Sequence, residues 1–346
     1  MKKIEYKEKM KEFHLNNFLK IEDEASTLLS DVFIDNNSLP ELSIDEVRLE
    51  KKFFNRNFSC PFYINAMTGG TEKALLINEI LARLAHDFNI PMMLGSEKIA
   101  VVDNKFPETF TIAREVNNDG YLIANVGASV DLDVMKKAVE LIDANAIAIH
   151  LNAYQELFND EGDRDFTSYM KNIEAALKYF KLPVIVKECG FGMSQKNIED
   201  LLKLGVKYID ISGFGGTNFA KIESMANARE DFSELFNFGT PTALSILYAK
   251  ELKKKYKFTL IASGGIRTAM DALKAYVIGA DVVAIAGELL KYVYHGSYEA
   301  SYEYLRSFSE KLKKLMLITS SRNTGELKHV KYKLEGRLKD LWEENR

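Results

Sequence analysis

Eight short apolar runs, each closing on a glycine, a small polar residue or a charge and each followed by a helix-like stretch, constrain this chain more than any other feature. They are FYINAM (62–67), PMMLGS (91–96), YLIANVG (121–127), AIAIHLN (146–152), PVIVKEC (183–189), YIDISG (208–213), TLIASGG (259–265) and VVAIAG (282–287). A strand apolar along its whole length is buried on both faces, which is the environment of a parallel sheet covered by helices. The stretches between, such as EKALLINEILARLAHDF and DLDVMKKAVELIDA, repeat apolar residues every three or four positions, as a helix packed on one face requires. Eight such units close naturally into an α/β fold of the (β/α)8 TIM-barrel type. An open doubly wound sheet would usually have fewer strands and one glycine fingerprint at its first turn. We therefore expect a barrel with a C-terminal helical tail over residues 62–346. Its tail comprises a helix from about Glu288, a long helix through YLRSFSEKLKKLMLITS and a charged end, DLWEENR. Residues 1–61 alternate charged and apolar positions without a strong period and read as an N-terminal extension.

Charge narrows the function. The 46 basic and 50 acidic residues are interspersed and leave a net charge of -4, so no basic patch offers itself to nucleic acid or an anionic membrane. An anionic small molecule would need a local basic pocket. No stretch approaches the roughly 18 uninterrupted apolar residues of a membrane span. Cys60 and Cys189 lie far apart with no CxxC pattern. The basic start lacks the apolar core and cleavage site of an export signal, so a reducing cytoplasm is the expected setting.

In a barrel, chemistry gathers where strands end. Glycine pairs follow three of the runs, in AMTGG, GFGGT and ASGGIR, and Gly287 closes the last. GGIR after the seventh strand and AG after the eighth form the corner where such barrels hold a phosphate, although any single pair also serves as a tight turn. Lys187, emerging from PVIVK, would place a fixed cation at the mouth, where it stabilises the anionic reduced ring of a flavin. It could equally pair with Glu188 or Glu156. Thr68, Ser96 and Asn125 offer hydrogen bonds to ring heteroatoms. The fourth run leads into His150, Asn152, Gln155 and Glu156. Glu156 is a candidate magnesium ligand or a solvated loop acid, and His150 reads best as a hydrogen-bonded core histidine. No serine or cysteine nucleophile stands beside a candidate base.

Taken together, AMTGG, GSEK, ANVGA, HLNxxQE followed by EGDRDF, VKECGFGMS, SGFGGTNFA and ASGGIR occur in the order found in type 2 isopentenyl-diphosphate delta-isomerases, which the chain resembles from about Phe62 to Gly287. The resemblance implies a barrel that binds FMN and Mg2+, needs the flavin reduced by NADPH or a reductase, and interconverts isopentenyl and dimethylallyl diphosphate. By position it implies that Ala66, Met67, Thr68, Ser96, Asn125, Lys187, Ser212, Thr217, Gly264, Gly265, Arg267, Ala286 and Gly287 hold FMN. It makes Gln155 the catalytic glutamine beside a flavin acting as acid and base, and Glu156 the metal ligand. Lys11, His14, Ser96, Lys98, His150, Asn152 and Gln155 would face the diphosphate substrate, the first two from the N-terminal extension. A homo-oligomer, tetrameric or larger, is also implied.

The chain departs from the family pattern in four places. An Arg-Lys pair ahead of the N-terminal histidine reads Met10, Lys11, His14, with Lys9 as a substitute that lacks the planar guanidinium fork. The arginine after the family's GSQ is Lys98, the segment IESMANARED lacks an arginine pair, and Glu288 replaces a proline. Two other readings stay open. A hydroxyacid-oxidase type of FMN oxidoreductase needs a late-barrel histidine-arginine pair, and here Arg267 has no late histidine before His295. A non-catalytic FMN-binding homologue would explain Met10.

Overall fold

The computed structural model describes residues 9–13, 15–17, 26–159, 162–226 and 232–344. Among these, eight parallel strands close into a barrel in chain order: β1 (Phe62–Ile64), β2 (Met92–Met93), β3 (Leu122–Gly127), β4 (Ala146–Leu151), β5 (Val184–Glu188), β6 (Tyr208–Asp210), β7 (Thr259–Ala262) and β8 (Val282–Ile285). Closure is made by β8 against β1, with Val283 opposite Phe62 and Ile285 opposite Ile64. Each of the eight runs contains one strand. Most strands are shorter than their runs because the last residues leave the ladder to enter the βα loops; β3 instead runs to the end of its run at Gly127.

The helices begin where the sequence offers caps. Thr71, Asp131 and Ser194 each accept a hydrogen bond from the backbone N–H three residues on, and Thr268 forms a reciprocal capping box with Asp271. Each such cap is worth about 1 kcal/mol. Along β1 the pleat sends Phe62 and Ile64 outward against the helices and Tyr63 inward, where it meets Met93, Ile123, Ala148, Ile185 and Ile261.

A hairpin of Lys51–Phe53 and Arg56–Phe58 plugs the end of the barrel away from the loops. The ring of Phe54, at its turn, stacks on Tyr121 with centroids 5.7 Å apart, and the Tyr121 hydroxyl donates to the Phe54 carbonyl at 3.2 Å. The extension is thus woven into the barrel. Val32–Ile34 pairs antiparallel with Tyr332–Leu334 near the C-terminus, and the Ala243 N–H donates to the Thr27 carbonyl. Neither three-residue strand was expected, since a segment that short carries no readable period. The expected tail helices are present as Gly287–Val293, Tyr298–Ile318 and Gly336–Glu344. Among the described residues no helix is long and apolar enough to cross a membrane.

Candidate active site

At the C-terminal ends of the strands lies a cavity of about 570 Å³, within the size range of cofactor and small-ligand sites. Every site residue selected from the sequence lines it, with the single exception of His14, which lies outside the described residues. The βα loops and the N-terminal helical residues thus bring together positions scattered from Lys11 to Gly287.

The corner formed by the β7 and β8 loops rests on glycine. Gly264 and Gly265 have φ of 90° and 71°, and a Cβ on them would stand 2.0 Å from the Gly213 carbonyl oxygen and 2.4 Å from that of Gly215. The β6 and β7 loops therefore lie backbone against backbone. Arg267 laces them, donating to the Gly215 carbonyl at 3.0 Å and the Gly265 carbonyl at 3.3 Å. With those carbonyls engaged, the backbone N–H groups of Gly264, Gly265 and Ile266 donate to no protein acceptor among the described residues. Consecutive N–H groups lining a cavity fit the phosphate of a flavin mononucleotide.

Lys187 stands across the cavity, 6% exposed, and its ammonium donates to the Glu188 carbonyl at 2.7 Å. Neither carboxyl considered as its partner takes it. The Glu188 side chain turns away to accept from the Phe191 and Gly192 N–H groups, and burial pushes its pKa up to about 8. For Lys187 itself burial disfavours the charged form, but Cys189, Asp210 and Glu188 together outweigh it and raise the pKa. Asp210, which reading the sequence passed over, is fully buried and receives Asn65 Nδ2 at 2.9 Å, the Ser263 hydroxyl at 2.6 Å and the Ser212 N–H at 3.2 Å. An acid inside the apolar run YIDIS was the signal. Asp210 stands opposite Lys187 in the β5–β6 register, with its own side chain held by neutral donors.

His150 is hydrogen-bonded, as its sequence context suggested, and it also lines the cavity. Its Nδ1 lies 2.9 Å from Asn125 Oδ1, and Asn125 Nδ2 donates to the Leu94 carbonyl at 3.0 Å. Because that amide nitrogen is committed, Oδ1 must accept, so Nδ1 carries the proton and Nε2 a lone pair. Burial, followed by Lys187, Lys98 and Lys11, depresses the His150 pKa to about 3.

The short helix Ala153–Phe158 presents Gln155 and Glu156. Gln155 Nε2 donates to Glu223 Oε1 at 3.0 Å, and the Asn159 amide approaches Glu223 Oε2 at 3.4 Å. Glu223, 1% exposed on helix Phe219–Ala226, is a functional candidate missed because its segment was read for absent arginines. Both Glu156 carboxyl oxygens have donors, Asn152 Nδ2 at 2.6 Å and the Asp163 N–H at 2.9 Å. Among the described residues no group of three or more His, Cys, Asp or Glu side chains stands together to hold a metal. One carboxyl suits magnesium, which takes few protein oxygens and keeps waters and phosphates. Arg164 bonds the carbonyls of Glu156 and Asn159 and so closes the end of this helix.

Lys11 enters from the N-terminal helical residues and donates to the Gly69 and Ser96 carbonyls at 2.9 and 3.0 Å. Lys98 lies beyond Ser96 on the same wall. Met10 is buried at the cavity edge, whereas Lys9, the considered substitute, is exposed. Glu288, in place of proline, forms a 2.7 Å pair with Lys291 at the rim.

A parallel barrel with a phosphate corner and a buried lysine defines a flavin-nucleotide enzyme class, and residues 108–333 match the model of the FMN-dependent dehydrogenase family. Among relatives named isopentenyl-diphosphate delta-isomerase, the Staphylococcus haemolyticus protein is 39% identical over 90% of this chain and 88% of its own length. The Lactococcus lactis protein is 42% identical over 87% and 85%. The chain belongs to the isopentenyl-diphosphate delta-isomerase family within the FMN-dependent barrels. Solved structures share the fold at low identity. A flavocytochrome b2 mutant with benzoylformate matches with TM-score 0.69 and 17% identity over 93% of this chain and 82% of that one. A mandelate oxidase mutant with a monooxide FMN adduct matches with TM-score 0.66 and 15% identity over 90% of each.

Proposed function

We propose that the protein interconverts isopentenyl and dimethylallyl diphosphate with reduced FMN, Mg2+ and a reductant such as NADPH. The observation that carries this is the meeting, in one cavity, of a glycine phosphate corner and Lys187 with a second polar wall of Lys11, Lys98, Asn152, Gln155 and Glu156. Two anionic groups need two receiving ends, and the cavity has both. The isomerisation adds a proton at the terminal alkene carbon and removes one from the allylic C2. Reduced FMN supplies, when bound, a proton-exchanging group suited to such weak carbon acids.

The chain's own residues do the rest. Lys187 supports negative charge on the flavin ring, while the N–H groups of Gly264 to Ile266 take its phosphate. Lys11 and Lys98 draw the diphosphate to the opposite wall, and Glu156, oriented by Asn152 and Asp163, takes its magnesium. Gln155, held by Glu223, orients the alkene. Neutral His150 offers Nε2 as an acceptor and adds no charge. An oxidase of 2-hydroxy acids is less well supported, because among the described residues Arg267 has no late-barrel histidine beside it in the cavity, whose lining histidine is His150 on β4. The same reading extends to a reducing cytoplasm, supported by the free thiols of Cys60 and Cys189, and to a homo-oligomer.

The test is direct. The purified protein should carry the yellow absorbance of FMN and, reduced anaerobically with NADPH and Mg2+, should yield dimethylallyl diphosphate. Flavin binding without product would refute the isomerase reading in favour of the non-catalytic homologue, and the absence of both flavin and product would refute the flavin site as well.

A further inference from the structure

We propose that Glu97 is a positioning residue that works as a neutral carboxylic acid, clamping Asn125 and, through it, the one His150 tautomer that turns a lone pair to the cavity. Glu97 occupies the place of the glutamine in the family's GSQ. Its side chain is fully buried on the wall behind the cavity. The clamp runs both ways: the Glu97 N–H donates to the Asn125 carbonyl at 2.9 Å, and the Asn125 N–H returns a hydrogen bond to Glu97 Oε1 at 3.2 Å. Strand β2 pairs regularly with β3 only at Met92 and Met93, so this exchange carries the ladder on to the residue that grips His150.

Glu97 Oε2 has no hydrogen-bond partner and is sealed from solvent. A negative charge there would be left without compensation. Among the described residues the cation that acts on it is Lys11, from the N-terminal helical residues, and that ammonium donates to the Gly69 and Ser96 carbonyls. The other ionisable groups of this wall among the described residues are Lys98, next in the chain, Asp103 just beyond the Lys98–Val101 turn, and His150 beyond Asn125, itself kept neutral. Helix Leu132–Leu141, packed against Lys98–Val101, buries only Met135 and Ala138. Burial accordingly drives the Glu97 pKa well above the usual carboxyl range, against smaller opposing effects of the Asn125 N–H and Lys11. A neutral acid has the shape and one acceptor oxygen of glutamine, so the substitution preserves the clamp.

The consequence for turnover rests on the isomerase reading; the protonation state and the tautomer do not. In the FMN-loaded protein at pH 7.5, infrared spectroscopy should show the carbonyl stretch of a buried protonated acid that disappears in Glu97→Gln. Nitrogen-15 NMR of labelled histidine should show the Nδ1–H tautomer of His150 in both proteins. Glu97→Gln should keep kcat and KM within about twofold of the parent, whereas Glu97→Ala should lose the single tautomer and lower kcat about tenfold, with flavin still bound. Absence of the acid band, or Glu97→Gln losing the tautomer as Glu97→Ala does, would overturn the inference. Should the parent lack isomerase activity, the infrared and NMR results still decide it.

Discussion

Gln155 Nε2 donates to Glu223 Oε1 across 3.0 Å, joining the helix after β4 to the helix after β6 over the mouth of the barrel. An amide whose nitrogen is committed to a carboxyl presents its oxygen elsewhere, so Glu223 decides which end of Gln155 a bound alkene meets.

Glu223→Ala frees that amide to rotate. A hydrogen bond to a charged acceptor is worth roughly 1.5–3 kcal/mol, so kcat should fall about 10- to 100-fold. The flavin absorbance should be retained, since the hydrogen bond removed is the one to Gln155 and the Gly264–Ile266 backbone is untouched. Steady-state kinetics with isopentenyl diphosphate check it, and an unchanged kcat would remove Glu223 from the site's function.

Lys187 is a buried cation of the cavity, anchored by the Glu188 carbonyl, and Asp210, opposite it in the β5–β6 register, works against the effect of burial on its charge. Lys187→Met keeps length and loses charge. The anionic reduced flavin should lose roughly 1.5–3 kcal/mol of stabilisation relative to the oxidised form, shifting the two-electron midpoint potential down by roughly 30–60 mV. A dye-coupled reductive titration measures the shift. A potential equal to the parent's would mean that Lys187 does not act on the ring.

Much of the barrel was legible because it rests on composition repeated eight times: each apolar run is buried on both faces, and a one-residue error at its end changes nothing. The strand-end residues were legible for the same reason, since finding the strand finds its mouth. What escaped was pairwise. Glu223 and Asp210 matter through partners 68 and 53 residues away, Gln155 and Ser263. Nothing in YIDIS or FAKIES names those partners. The pairing of Val32–Ile34 with Tyr332–Leu334 joins the two ends of the chain through segments too short to show a period. Lys187 was the intermediate case. Its position was readable, but only the structure shows the Glu188 carboxyl occupied by two backbone N–H groups.

His150 gives the molecule a signature in acid. Its folded-state pKa is depressed to about 3 by burial and by Lys187, Lys98 and Lys11, against about 6.5 in an unfolded chain. Between those values the unfolded chain binds the extra proton, so the contribution to stability is complete above pH 6.5 and is lost as pH falls towards 3. At pH 5 the loss amounts to about 2 kcal/mol. Urea unfolding at pH 7.5 and pH 5 should therefore show a smaller acid loss in His150→Gln than in the parent, by up to that amount. Equal losses would place the acid sensitivity elsewhere.

Met10 tests the substrate wall. It sits 7% exposed at the cavity edge beside Lys11, where the family pattern has an arginine. A methionine contributes no charge to an incoming diphosphate, which leaves Lys11 and Lys98 as the lysines of that wall. Lysine meets a phosphate oxygen as a point charge, whereas guanidinium donates through a two-pronged fork. Met10→Arg should therefore lower KM for isopentenyl diphosphate by about tenfold, the worth of one charge-assisted hydrogen bond, with kcat unchanged within about twofold. The gain should shrink as salt is raised, because a charge at the cavity mouth is screened over about 10 Å at 0.1 M. If KM instead stays fixed at low salt while the flavin remains bound, the diphosphate does not lie against the N-terminal residues, and the substrate end of the cavity must be sought along Lys291 and the rim.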